Sequence, residues 1–150
     1  MNFANRIKTI RLEPDDSGFV VAAGSSDVSS EYVDTAGFDG VRFLIGFGAI
    51  TSGAATSIKV QQCDTSGGSY ADLEGTAQTV ADTNDNKCFS VEITHPRERY
   101  LKVKTLRATQ NSAIDFLVAE LFNVHGPVPV TQHATVVGSE IFDAPAEGTA

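Results

Sequence analysis

Apolar and polar residues alternate with period two along most of the chain, which is the spacing of half-buried β-strands. In the longest run Val41, Phe43, Ile45, Phe47 and Ala49 fall on one face, with Arg42, Leu44, Gly46, Gly48 and Ile50 on the other. Ser57-Ile58-Lys59-Val60-Gln61 repeats the pattern with Ile58 and Val60 inward. Phe89, Val91 and Ile93 oppose Ser90, Glu92 and Thr94, while Leu101, Val103 and Thr105 oppose Lys102 and Lys104. Between Ala113 and Val124, Ile114, Phe116, Val118, Phe122 and Val124 share one side, yet Leu117 and Leu121 occupy the other. That strand is expected to be covered on both faces or bulged near Glu120. Weaker strands are expected near residues 7–12, 19–23, 31–34 and 71–80. The first of these also fits a short helical turn through Ile7 and Ile10.

Clusters of Gly, Ser, Thr, Asn and Asp separate the runs, as at Gly24-Ser25-Ser26, Thr51-Ser52-Gly53 and Gln110-Asn111-Ser112. Such residues supply the backbone conformations and local hydrogen bonds of turns. Eight or nine short strands at regular spacing predict an all-β antiparallel sandwich or barrel. Alternation places Phe43, Ile45, Phe89, Val91, Leu101, Val103, Phe116 and Val118 between two sheets. On that placement Phe116→Ala is expected to cost about 3–5 kcal/mol.

From Gly126 the alternation stops. Residues 126–150 carry Pro127, Pro129 and Pro145 and no Lys or Arg, and they read as an extended arm following a 1–125 sandwich domain. Val128, Val130, Val136, Val137, Ile141 and Phe142 are six apolar side chains in it. A frayed tail is the plain reading. The sharper one, which we adopt as the expectation, is an arm that packs on a neighbouring copy or another partner and is mobile in the free monomer.

A length of 150 residues suits one domain with its own core. Eleven basic against nineteen acidic residues leave a net charge of −8, the wrong sign for a nucleic-acid partner. No charged region followed by a long apolar stretch opens the chain at Met1-Asn2-Phe3, so no secretory leader is expected. The run from Val41 to Ile50 is about half the length that spans a bilayer, so no membrane is expected as a partner. Cys63 and Cys88 are expected on outer faces of their strands as two free thiols, with a single bridge as the alternative.

Candidate chemistry is thin. Asp82-Thr83-Asn84-Asp85-Asn86 matches the first half of a calcium loop, but Lys87 stands where glycine is required and Ile93 where a bidentate Glu belongs. A polar hairpin turn is the better reading. His95, His125 and His133 have no second ligand at metal spacing, and no nucleotide, hydrolase or redox motif occurs. No catalytic residue, cofactor or metal is therefore expected, and the chain does not read as an enzyme. A small hydrolase with a scattered site is the least favoured reading. Arg97, Arg99, Lys102, Lys104 and Arg107 make a local basic stripe, read either as a solvated face or as a docking surface for an acidic partner such as another copy. A carbohydrate-binding sandwich would need an aromatic platform; with no Trp, only Tyr32, Tyr70 and Tyr100 are available for one.

The stretch Ser30-Glu31-Tyr32-Val33-Asp34-Thr35-Ala36-Gly37-Phe38-Asp39-Gly40-Val41-Arg42-Phe43 resembles small virion proteins of tailed bacteriophages. The likeness continues through residues 57–62, Gly67-Gly68-Ser69-Tyr70-Ala71-Asp72-Leu73 and Arg99-Tyr100-Leu101-Lys102-Val103, and covers roughly residues 18–125. It is one of pattern and organisation rather than an invariant motif. Within that group it points to capsid decoration, or cement, proteins. The resemblance implies a jelly-roll-like β-sandwich that is trimeric or dimeric, with the major capsid protein and other copies of itself as partners. It implies synthesis in the host cytoplasm and a place on the outer surface of the capsid. It carries no catalytic residue across. A tail- or fibre-associated virion module that binds a host glycan or protein is the alternative. Partner contacts are expected from Arg97, Arg99, Lys102 and Lys104 and from the six apolar residues of the arm.

Overall fold

The computed structural model describes residues 3–14, 18–144 and 146–148. Met1, Asn2, residues 15–17, Pro145 and residues 149–150 lie outside it. After a 3-10 turn at Phe3–Asn5, the strands are β1 (Lys8–Arg11), β2 (Val21–Gly24), β3 (Val28–Ser29), β4 (Val33–Asp34), β5 (Phe38–Ile50) and β6 (Ala55–Cys63). They continue with β7 (Ala71–Asp72), β8 (Gln78–Val80), β9 (Cys88–Thr94), β10 (Tyr100–Ala108) and β11 (Ser112–Val124). The segment expected at residues 71–80 is split in two at a turn where Gly75 takes φ +78° and the Thr76 amide donates to Leu73 O.

Among the described residues, every pair of strands is antiparallel. β1 and β2 lie end to end along β11, β3 and β4 along β10, and β7 and β8 along β6. Eleven strands thus fill eight positions. Counted in chain order, the first sheet runs 1-8-3-6 and the second 2-7-4-5. This is the strand order of a jelly roll, in which the chain crosses repeatedly between two facing sheets.

The core lies between the sheets, with Val41, Phe43, Ile45 and Phe47 of β5 facing Ile58 and Val60 of β6 and Leu101 and Val103 of β10. Six of the eight expected core residues fit. Val91 is buried and Phe89 half-buried, its ring set edge-on against Phe47 at 5.8 Å. Phe116 and Val118 do not fit. The ladder between β5 and β11 slips on both sides of Ile114, so Ile114 faces inward and the next inward residues are Leu117, Ala119 and Leu121. The bulge sits at Ile114–Phe116, not near Glu120. A bulge reverses the parity of every residue beyond it. The same irregularity turns Ile50 inward and leaves Ala49 exposed, the reverse of simple alternation.

On the outer face Phe116 and Phe122 lie across Gly46 and Gly40 of β5. A Cβ at Gly46 would stand 2.1 Å from the Phe116 ring and one at Gly40 2.4 Å from the Phe122 ring. The aromatic rings thus cover the glycine gaps in the neighbouring strand. Gly46→Ala is expected to displace Phe116 and cost about 1–3 kcal/mol, readable as a lower urea midpoint at unchanged slope.

Candidate interaction surfaces

The outer face of the second sheet gathers all three tyrosines. Antiparallel pairing sets Tyr100 opposite both Asp34 and Cys63, and the loop from Asp64 to Tyr70 folds over Cys63. Tyr32 meets Tyr100 edge to face at 5.3 Å, and Arg99 stacks on the Tyr100 ring at 5.2 Å. Lys102 Nζ sits 4.3 Å from the centre of the Tyr70 ring, whose hydroxyl donates to Ser66 O. Burial pushes the Tyr70 phenol up to about 12, with Cys63, Tyr32 and Tyr100 adding to the shift. The proximity of these three rings was not legible in the sequence, because it follows from register and not from spacing.

Cys63 corrects an expectation. Strand parity puts it opposite Ile58 and Val60, yet it is only 8% exposed, because the loop packs so tightly that a Cβ at Gly68 would stand 2.4 Å from its Sγ. Cys88 is exposed, and both cysteines are free thiols.

The basic stripe divides into paired charges. Arg99 grips Asp34 with two hydrogen bonds of 2.8 and 2.7 Å, Lys104 lies 3.3 Å from Asp27, and on β6 Lys59 pairs with Asp72 at 2.6 Å. Among the described residues Arg97 is exposed and has no ion pair. Arg107 is no part of a solvated face: it is buried, and its guanidinium donates to Ser26 O, Ala22 O and Ser112 O.

The hydrogen bonds from Arg99 hold the Asp34 carboxyl below the usual carboxylate range. Stability from this pair is present above that range and is lost as the pH falls through the lowered value. In acid denaturation the Arg99→Gln variant should therefore show a shallower loss than the parent, measured as midpoint against pH.

The first sheet presents a different face. Leu44, Phe116, Val118 and Phe122 are half-buried there, divided by a row in which Arg42 pairs with Glu120 (Nε to Oε2, 2.8 Å) beside Glu92. At one end Phe3 and Ile7 rise beside Phe122 and frame a groove, which continues into a cavity of about 320 Å³ reaching Arg6 and the His125–Asp39 pair.

The arm divides into two parts. Its first part lies along β1 of its own chain, where the Val130 amide donates to Asn5 O. Gln132 accepts from the Thr9 amide at 2.9 Å and donates to Ala4 O and Ile7 O, and Thr135 Oγ1 accepts from the Arg11 amide at 3.0 Å. These bonds satisfy outward amides of an edge strand. Val130 and Val136 are half-buried in this part, and Val128 is exposed. Beyond it Val137 is 100%, Ile141 46% and Phe142 71% exposed.

At the opposite end of the sandwich, the Asp82–Asn86 segment is a brace. Asp85 accepts from the Ile50 amide at 2.6 Å and Asp82 from the Gly53 amide at 2.8 Å, so both carboxylates hold the β5–β6 turn. Among the described residues no group of three or more His, Cys, Asp or Glu side chains is placed to hold a metal. Chelation is expected to leave the melting temperature unchanged; a loss of several degrees restored by calcium would assign the segment a ligand role.

No protein-family profile and no curated protein sequence matches the chain. Among solved structures it is similar to the CBM22-1 and GH10 modules of the N-terminal endo-1,4-β-D-xylanase 10B of Clostridium thermocellum, complexed with xylohexaose. That likeness has 13% identity and a TM-score of 0.49, over 82% of this chain and 25% of that one. It is also similar to the Eiger TNF of S. frugiperda, at 8% identity and a TM-score of 0.44, over 84% of this chain and 98% of that one.

Proposed function

We propose that the protein is a structural virion component, a decoration protein that binds the exterior of a bacteriophage capsid as a homo-oligomer and stabilises it. The observation that carries this reading is the state of the tyrosine face. Tyr, Arg and Lys are set there in preformed pairs, the side-chain chemistry of protein–protein hot spots. Arg99 and Lys102 already occupy ring faces of Tyr100 and Tyr70, which a stacked sugar would need. A protein surface such as that of the major capsid protein suits this face better than a glycan. The net charge of −8 agrees with a position outside the shell, away from the packaged nucleic acid. Such a protein acts by burying surface at junctions between capsid subunits, and that role needs no catalytic group.

The second reading is a tail- or fibre-associated module that binds a host glycan or protein. It is favoured by Tyr32, whose ring is half exposed at the rim of the cluster. Electron microscopy of the intact virion separates the two. Density for this fold repeated over the head supports decoration, density at the tail alone supports the second reading, and absence from the particle ends both. Binding of purified protein to undecorated heads should weaken with the Tyr32→Ala, Arg99→Glu double variant.

A further inference from the structure

We propose that the free segment Val137–Phe142 of one copy seats in the groove beside Phe3 on a second copy. The inference deepens the self-association in the reading above and is independent of capsid binding. Two unpartnered apolar features of one chain carry it. The first is the segment itself, in which Val137 and Phe142 are 100% and 71% exposed although the preceding residues are fastened to β1. The second is the groove, where Phe3, 60% exposed, stands with Ile7 between a cleft of about 160 Å³ walled by Phe122 and a cavity of about 320 Å³ that reaches Arg6.

Among the described residues, the groove offers an acidic segment one cation, at its cavity end: Glu120 is held by Arg42 and Asp39 by His125, while Glu92 lies at the other end. The segment contains Glu140 and is followed by Asp143 and Glu147, and residues 126–150 contain no Lys or Arg. Arg6 lines the cavity and, among the described residues, has no ion pair. Opposite charge at the mouth of an apolar slot fixes orientation and disfavours wrong partners.

The course of the arm favours a second copy over the chain's own groove. Val130 passes Asn5, Gln132 reaches Thr9 and Thr135 reaches Arg11, so the arm runs along β1 away from Phe3 and releases the segment at the far end. To fill its own groove the segment would have to reverse over the strand it has just capped. In a neighbour it needs no reversal.

Full-length variants test this without disturbing the core. Phe142→Glu and Phe3→Glu alter exposed side chains, so their melting curves should match the parent. Sedimentation velocity over a concentration series should show the parent associating and each variant weakened at least about tenfold, as expected when a buried aromatic anchor is lost. An equimolar mixture of the two variants should regain association, because one intact segment meets one intact groove. A parent that stays monomeric at every concentration removes the self-association itself. A parent that associates with both variants unchanged keeps self-association and overturns this contact. Weakening by each variant with no recovery on mixing also overturns it, since a segment of one copy seated in the groove of another must be restored by one intact segment and one intact groove.

Discussion

Arg107→Met should lower the free energy of unfolding by about 3–5 kcal/mol, far more than loss of any neighbouring cation. The residue is 6% exposed at the end of β10, and its guanidinium donates at 2.6, 3.1 and 2.7 Å to Ser26 O, Ala22 O and Ser112 O. Those carbonyls belong to β2, the turn before β3, and β11, so one side chain joins the two sheets where the chain crosses between them. Gly24 lies so close that a Cβ there would stand 3.2 Å from the guanidinium. Burial lowers the Arg107 pKa from its ordinary value, with the nearby Asp27 opposing the shift, and the group stays cationic at neutral pH. Methionine keeps most of the volume but leaves the three carbonyls without this donor. Urea unfolding of Arg107→Met beside Arg97→Met checks this: the exposed Arg97 should change stability by no more than about 0.5 kcal/mol.

Phe43→Ala should cost about 3–5 kcal/mol, and Phe116→Ala only about 1–2 kcal/mol. Phe43 is wholly buried at the centre of β5, paired with Ala119 on one side and Val91 on the other, so its removal leaves a cavity between the sheets. Phe116 is half-buried on the outer face across Gly46, where water can enter the space it vacates. Differential scanning calorimetry on the two variants would show the order. Equal losses would place Phe116 in the core and remove the bulge from β11.

The difference between these phenylalanines marks where the sequence could be read and where it could not. Alternation located every long strand, because one face of each meets the core and the other meets water. It failed in β11 past Ile114, where both faces carry large apolar residues and parity alone cannot choose between them. Leu117 and Leu121 in the sequence were the available sign of the bulge. Arg107 was read with the basic stripe because charge implies exposure, and only the meeting of β2, β10 and β11 supplies the carbonyls that hold it. The tyrosine cluster depends on long-range register, as Tyr32, Tyr70 and Tyr100 come from three separate segments. Composition counted the rings but had no means of placing them together.

Gln132 gives the first sheet a boundary. Its amide group offers one oxygen to the Thr9 N–H and its nitrogen to two carbonyls, Ala4 O and Ile7 O, so it does at β1 what a peptide unit of another strand would do. A side chain in this role ends the ladder, because it brings no further row of amides to be matched. The width of the sheet is therefore set by an amide more than one hundred residues away in sequence, and not by the supply of strands. On a crowded surface, many copies can stand side by side without their edges joining into a continuous sheet. Copies are then free to meet through faces and tails, where side chains choose the neighbour, and not through backbone, which would accept any strand.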